Sequence, residues 1–137
     1  MLSPFSKESE PTDSSAQTAA SQLGQVFAVP DKWWGFEAVG REDHPGACVR
    51  EEAATGDCNL LKGTGAENRR RYHPTEMLIV ATPANGLLKN TLFALRPRPF
   101  RRHRISNLIP DRVMGRLATE EVERLNTEML RLFGNQG

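Results

Sequence analysis

The stretch from Thr119 to Gly134 (TEEVERLNTEMLRLFG) carries a helical period, and that limits what the rest of the chain can be. Val122, Leu125, Met129, Leu132 and Phe133 recur at three- and four-residue steps, so they share one face of a helix. Thr119 suits the N-cap, Glu120 and Glu121 suit the positive end, and Gly134 suits the left-handed residue that stops the helix. An apolar stripe of this kind has to be covered. The rest of the chain offers short strand-like runs to cover it, so the helix is expected to pack on a sheet.

The stretch from His44 to Gly65 (HPGACVREEAATGDCNLLKGTG) reads as two short strands around a turn. Gly46–Arg50 is small and apolar with β-branched Val49, Asp57–Leu61 is the second run, and Ala53–Gly56 has turn character. If the strands pair antiparallel, the imidazole of His44 and the hydroxyl of Thr64 meet near one sheet edge beside Lys62. A proton carrier, a hydroxyl and a cation clustered there suit a phosphate group. Cys48 and Cys58 both fall on these strands in no zinc-binding pattern, so they are read as buried free thiols of a reducing, cytoplasmic setting, with a disulfide as the lesser alternative if the strands pair in register.

Elsewhere the chain alternates short runs with turn residues. Val26–Val39 contains the Pro30-Asp31 turn and a cluster of Trp33, Trp34 and Phe36. Such a cluster serves either as core or dimer-interface anchors or as a base-stacking platform. Met77–Ala81 (MLIVA) suits a strand buried on both sides, and Asn85-Gly86 suits a tight hairpin turn into Leu87–Leu95, with Leu92, Phe93 and Leu95 as core candidates. Ile105–Arg116 reads as a short strand or turn pair with Leu108, Ile109, Val113 and Met114 inward. Residues 1–25 are rich in Ser, Thr, Ala and Gln, and are read as a flexible tail before one folded domain at 26–137.

The formal net charge of 137 residues is only +1, but residues 29–118 hold 15 Lys and Arg against 10 Asp and Glu. Two segments concentrate the cations. Arg69, Arg70 and Arg71 lie in a polar loop that is either a solvated connection or a phosphate-contacting one. Arg96–Arg104 (RPRPFRRHR) presents Arg96, Arg98, Arg101 and Arg102 around Phe100, and Pro97 and Pro99 exclude a regular helix or central strand. A proline-stiffened basic strip with an aromatic in it suits a groove for single-stranded nucleic acid, and equally one for an acidic protein segment. No apolar run reaches membrane-spanning length, and the N-terminus lacks a signal-peptide pattern.

From His44 onward the order of motifs resembles the MazF/PemK family of toxin–antitoxin toxins. HPGACV (His44–Val49) is similar to that family's Arg-Pro strand, LLKGTG (Leu60–Gly65) to its threonine-bearing strand end, and ANGLLKNTLFAL (Ala84–Leu95) to its returning strand. DRVMGRLATEEVERLNTEMLRLFG (Asp111–Gly134) resembles its ending, a Gly-x-Leu before the final amphipathic helix. His44 stands where the family has arginine, and Lys62 where it has proline.

The resemblance implies a mainly β fold, a small SH3-like barrel of the MazF/PemK/CcdB kind with a C-terminal α-helix. It implies a homodimeric endoribonuclease of single-stranded RNA that needs no metal or other cofactor and is silenced by an antitoxin protein. His44 and Thr64 would be catalytic, with Lys62, Arg69, Arg70, Arg96, Arg98, Arg101 and Arg102 holding substrate. The alternatives are a non-catalytic binding module on the same barrel, such as a degenerate toxin or a gyrase poison acting through Leu132–Gly137, and a general single-strand binder built on Arg96–Arg104 with Trp33 and Trp34.

Overall fold

The computed structural model describes residues 21–35, 43–68 and 74–134. Among them the strands are β1 (Gln25–Pro30), β2 (Asp43–Glu51), β3 (Cys58–Gly65), β4 (Glu76–Ile79), β5 (Thr91–Ala94), β6 (Arg98–Phe100) and β7 (Val113–Arg116). A short helix α1 (Arg102–Ser106) precedes β7, and α2 (Thr119–Phe133) follows it. A 3-10 turn, Asp31–Trp34, follows β1. The seven described strands make one antiparallel sheet in the order β4-β5-β3-β2-β1-β7, with β6 also on β3.

β3 is the hub. It pairs with β2 along Cys58–Lys62, while β6 takes the other edge at Cys58–Leu60 and β5 takes Gly63–Gly65. Side chains alternate across the sheet as strand geometry requires. Val26, Ala47 and Leu61 go to one face, in a cluster with Val122 and Leu125 of α2. Phe27, Cys48 and Leu60 go to the other, packed with Trp34, Phe100 and Ile105. Both faces are therefore covered. Leu92, Phe93 and Leu95 are fully buried, as the sequence reading expects.

Several expectations are corrected. β4 stops at Ile79 and is an edge strand paired only with β5; Met77 and Leu78 are half-buried, and Val80, just beyond it, is exposed. Asn85-Gly86 makes a wide loop instead of a two-residue turn. Asn85 is fully buried there, its Oδ1 accepting the Thr82 and Leu87 N–H groups and its Nδ2 donating to the Val80 carbonyl. The N-cap of α2 is Ala118, whose N–H donates to Glu121 Oε1 at 2.8 Å, and Thr119 is already the first helical residue. Ile109 is exposed, while Leu108 is buried. The basic strip is strand only at Arg98–Phe100 and then turns helical in α1, since no proline follows Pro99 until Pro110.

Ser21–Gln25, read as tail, joins the fold: Ser21 Oγ and the Gln22 N–H both donate to the Glu51 carboxylate, and the Gly24 N–H donates to the Cys48 carbonyl. Residues 1–20 lie outside the described residues. β4 and β7, the ends of the strand order, are not paired with each other, so the described strands do not close into a barrel. The loop after β4 bridges to β7 instead, where the Arg116 N–H donates to the Ala84 carbonyl at 2.9 Å. Gly86 (φ +70°) sits so close to β7 that a Cβ there would lie 1.9 Å from the Met114 carbonyl oxygen.

Cys48 and Cys58 are free and buried, as expected. The contact with Cys58, together with burial, pushes the Cys48 thiol far above the usual thiol range, and the same contact lowers Cys58.

Candidate active site

β1 pairs with β2 so that Val29 lies opposite His44 and Ala28 opposite Pro45. Pro30 has no N–H to extend the ladder, and the chain turns at once into Asp31–Trp34. That turn carries the Asp31 carboxylate back over the start of β2. The His44 Nδ1–H donates to Asp31 Oδ1 at 2.5 Å, with the two side chains only 24% and 16% exposed. A carboxylate on Nδ1 selects the tautomer protonated there and assigns acid–base chemistry to Nε2.

The facing wall comes from β3. Its pairing with β2 ends at Gly46 and Lys62, and from Gly63 it follows β5, so Thr64 lies opposite Leu92. Gly63 sits where this divergence is tightest. A Cβ there would lie 2.5 Å from Thr91 Cγ2 and 2.9 Å from Pro45 Cγ, so glycine lets these two side chains meet. His44, Pro45, Thr64 and Thr91 all line one cavity of about 350 Å³, whose outer wall is Leu87, Leu88 and Met114.

Two charged groups, Lys89 and Asp43, line the cavity, and a third, Lys62, approaches from outside it. Lys62 Nζ stands 3.5 Å from Thr64 Oγ1, a long contact. Lys89 lines the cavity and pairs with Glu67 at 3.3 Å on an exposed surface, where such pairs contribute little. Asp43 also lines it, held by Arg112 at 2.8 Å. The arrangement brings a carboxylate-oriented imidazole, a hydroxyl and one lysine, Lys89, to one mostly apolar concave surface, with Lys62 outside the lining but reaching Thr64. Such a set can move a proton and hold an anionic group.

No protein-family model matches this chain, and no curated protein matches it either.

His44 and Thr64 thus line the same cavity, and Lys62 Nζ approaches Thr64. The arginines are not part of it. Arg69 and Arg70 lie outside the described residues. Arg96, Arg98, Arg101 and Arg102 are absent from the cavity lining, because β6 pairs with the first half of β3 and Thr64 lies in the second. Arg98 instead donates from Nη2 to the Trp34 carbonyl at 2.9 Å. Arg102 packs on Gly56 at the hairpin tip, with its N–H donating to Asp57 Oδ1. The tryptophans divide: Trp34 is buried in the core, whereas Trp33 is half-buried and stacks on Phe100. Phe36 lies outside the described residues.

Sequence reading misses Asp31 and Lys89. A Pro-Asp pair signals a turn, and only the register of β1 against β2 reveals that the turn ends over His44. Among the described residues no group of three or more His, Cys, Asp or Glu is placed to hold a metal ion, and no helix is long and apolar enough to cross a membrane.

Proposed function

We propose that this chain is a cytoplasmic toxin of the toxin–antitoxin kind, an endoribonuclease of single-stranded RNA that works without a metal ion. The observation that carries the reading is the shared cavity of His44, held by Asp31, and Thr64. The sheet with its bridging loop and α2 is then an SH3-like barrel, as the resemblance implies, and the chain works as a homodimer.

In this reading the 2′-hydroxyl attacks the adjacent phosphorus, the bond to the 5′-oxygen breaks, and a 2′,3′-cyclic phosphate and a 5′-hydroxyl remain. His44 Nε2 takes the proton of the attacking hydroxyl, and the same imidazolium returns one to the leaving oxygen. Each such transfer contributes roughly 10²–10⁴-fold. The Asp31 carboxylate stabilises the imidazolium between the two steps. Thr64 donates to a phosphate oxygen, while Lys62 and Lys89 offset the charge that builds on the phosphorane. The lysines thereby take over part of what an arginine clamp does in the family the chain resembles. They hold phosphate as point charges and lack a planar fork.

A second reading has one feature in its favour. Leu88, at the mouth of the cavity, is 90% exposed, which suits contact with another protein and a non-catalytic role. Controlled expression followed by mapping of RNA ends separates the two. The nuclease reading expects growth arrest with new 5′-hydroxyl ends paired to cyclic phosphates. Growth arrest with intact RNA would assign the protein to the second reading.

A further inference from the structure

Beyond the His44 cavity, a second concave surface forms beside Trp33 of the Asp31–Trp34 turn. It measures about 370 Å³ and is lined by Trp33, Phe100, Arg98, Arg101, His103 and Arg104. Trp33 stacks on Phe100 with ring centroids 6.3 Å apart and planes inclined by 28°. The Arg104 guanidinium carbon lies 5.0 Å from the centroid of the Trp33 ring. Phe100 is anchored from below, buried and edge-on to Trp34 at 5.3 Å.

Arg101, His103 and Arg104 are all exposed, and no described carboxylate pairs with them or with Arg98. A concentration of cations around a flat aromatic stack is unusual to leave uncompensated. It repels itself unless an anion is shared. Pro97 and Pro99 hold the strand extended, so the cations stand at fixed points along the groove.

We infer that this groove is a binding subsite for one nucleotide of a single-stranded nucleic acid. The base stacks on the guanidinium plane of Arg104, which Trp33 backs, and the phosphate is held by Arg101 and Arg98. Bases stack on arginine planes as well as on aromatic rings, without sequence preference. The volume suits one nucleotide and falls at the small end of ligand pockets. An acidic peptide finds the same cations, but it has no use for a planar stack between two rings and a guanidinium.

The subsite also meets the catalytic cavity through one short element. Asp31, which orients His44, and Trp33, which carries the stack, belong to the same 3-10 turn, and Arg98 ties that turn to β6 at the Trp34 carbonyl. A strand held at Trp33 therefore braces the turn that positions the imidazole. This half of the inference rests on the nuclease reading of the cavity; the binding half does not.

The test uses the full chain and a 2′-O-methyl hexanucleotide, which cannot undergo the cleavage proposed above. Trp34 is buried, so quenching of tryptophan fluorescence reports Trp33. Titration is expected to quench that fluorescence. The double substitution Arg101→Ala with Arg104→Ala should weaken binding roughly tenfold or more and lower the salt dependence by about one ion, since Arg101 alone of the two holds phosphate. Trp33→Leu should weaken it similarly and Trp33→Phe should largely restore it, both read from the fluorescence anisotropy of an end-labelled hexanucleotide because these variants lack the reporting tryptophan, with folding of each variant checked by thermal melting. Binding that ignores these substitutions would overturn the subsite. So would a poly-glutamate peptide that binds as tightly and loses affinity on the same arginine changes. Because no bond is cut in the titration, absence of RNA cleavage with groove binding intact removes the nuclease reading alone, and the converse removes the subsite alone.

Discussion

Asp31 and His44 form the smallest unit on which the account depends. An imidazole held at Nδ1 by a carboxylate keeps one tautomer and one orientation. Asp31→Asn keeps the size of the side chain and removes the charge. It is expected to lower RNA cleavage by at least about tenfold, while the melting temperature changes little. A cleavage assay beside a melting curve checks both parts. That His44 and Thr64 line one cavity was legible in the sequence, because a short hairpin brings its two ends to the same edge of the sheet. Asp31 was not, since a carboxylate after a proline carries the ordinary signature of a turn. The described arginines show what composition leaves open: Arg98, Arg101 and Arg102 lie away from the His44 cavity, because the position of a cation is decided by which half of β3 its strand pairs with.

At the scale of elements, α2 follows the sequence most closely. The apolar stripe fixed its buried face, and Gly134 ends it with φ +70° and ψ −170°, a positive-φ conformation open to glycine but extended in ψ and so not the left-handed helical one expected there. Its start is displaced by one residue, because the reach-back of the Glu121 side chain to the Ala118 N–H starts the helix without a hydroxyl cap. The elements respond unequally to substitution. Leu125 is fully buried against the sheet, so Leu125→Ala is expected to cost about 2–5 kcal/mol. Glu121→Ala should cost roughly 0.5–1.5 kcal/mol, the worth of one hydrogen bond. Thr119→Ala should cost less than about 0.5 kcal/mol, since that side chain does not cap the helix. Urea denaturation of the three variants measures all of these on one scale. α1 was hidden for a related reason: the prolines stop at Pro99, and the arginine-rich residues beyond Phe100 are free to turn into a helix.

The whole molecule is a sheet covered on both faces whose ends are joined by a loop instead of a strand pair. Sequence patterns carry little information about such a junction, because it depends on one backbone approaching another. Gly86 is where that approach is closest, and Gly86→Ala adds a methyl against the Met114 carbonyl at a positive φ. A loss of roughly 2 kcal/mol or more is expected, read as a lower urea midpoint. The same loop supplies Leu87, Leu88 and Lys89 to the cavity, so that variant should also bind RNA more weakly.

The central claim is that one cavity, between the start of β2 and the end of β3, cuts RNA. The most direct measurement is cleavage of end-labelled single-stranded RNA in the presence of a chelator by the native chain, His44→Ala and Thr64→Ala, each shown to be folded. The account predicts cyclic-phosphate ends from the native chain and rates lower by about a hundredfold or more for both variants. No cleavage by the native chain, or undiminished cleavage by both variants, would contradict it.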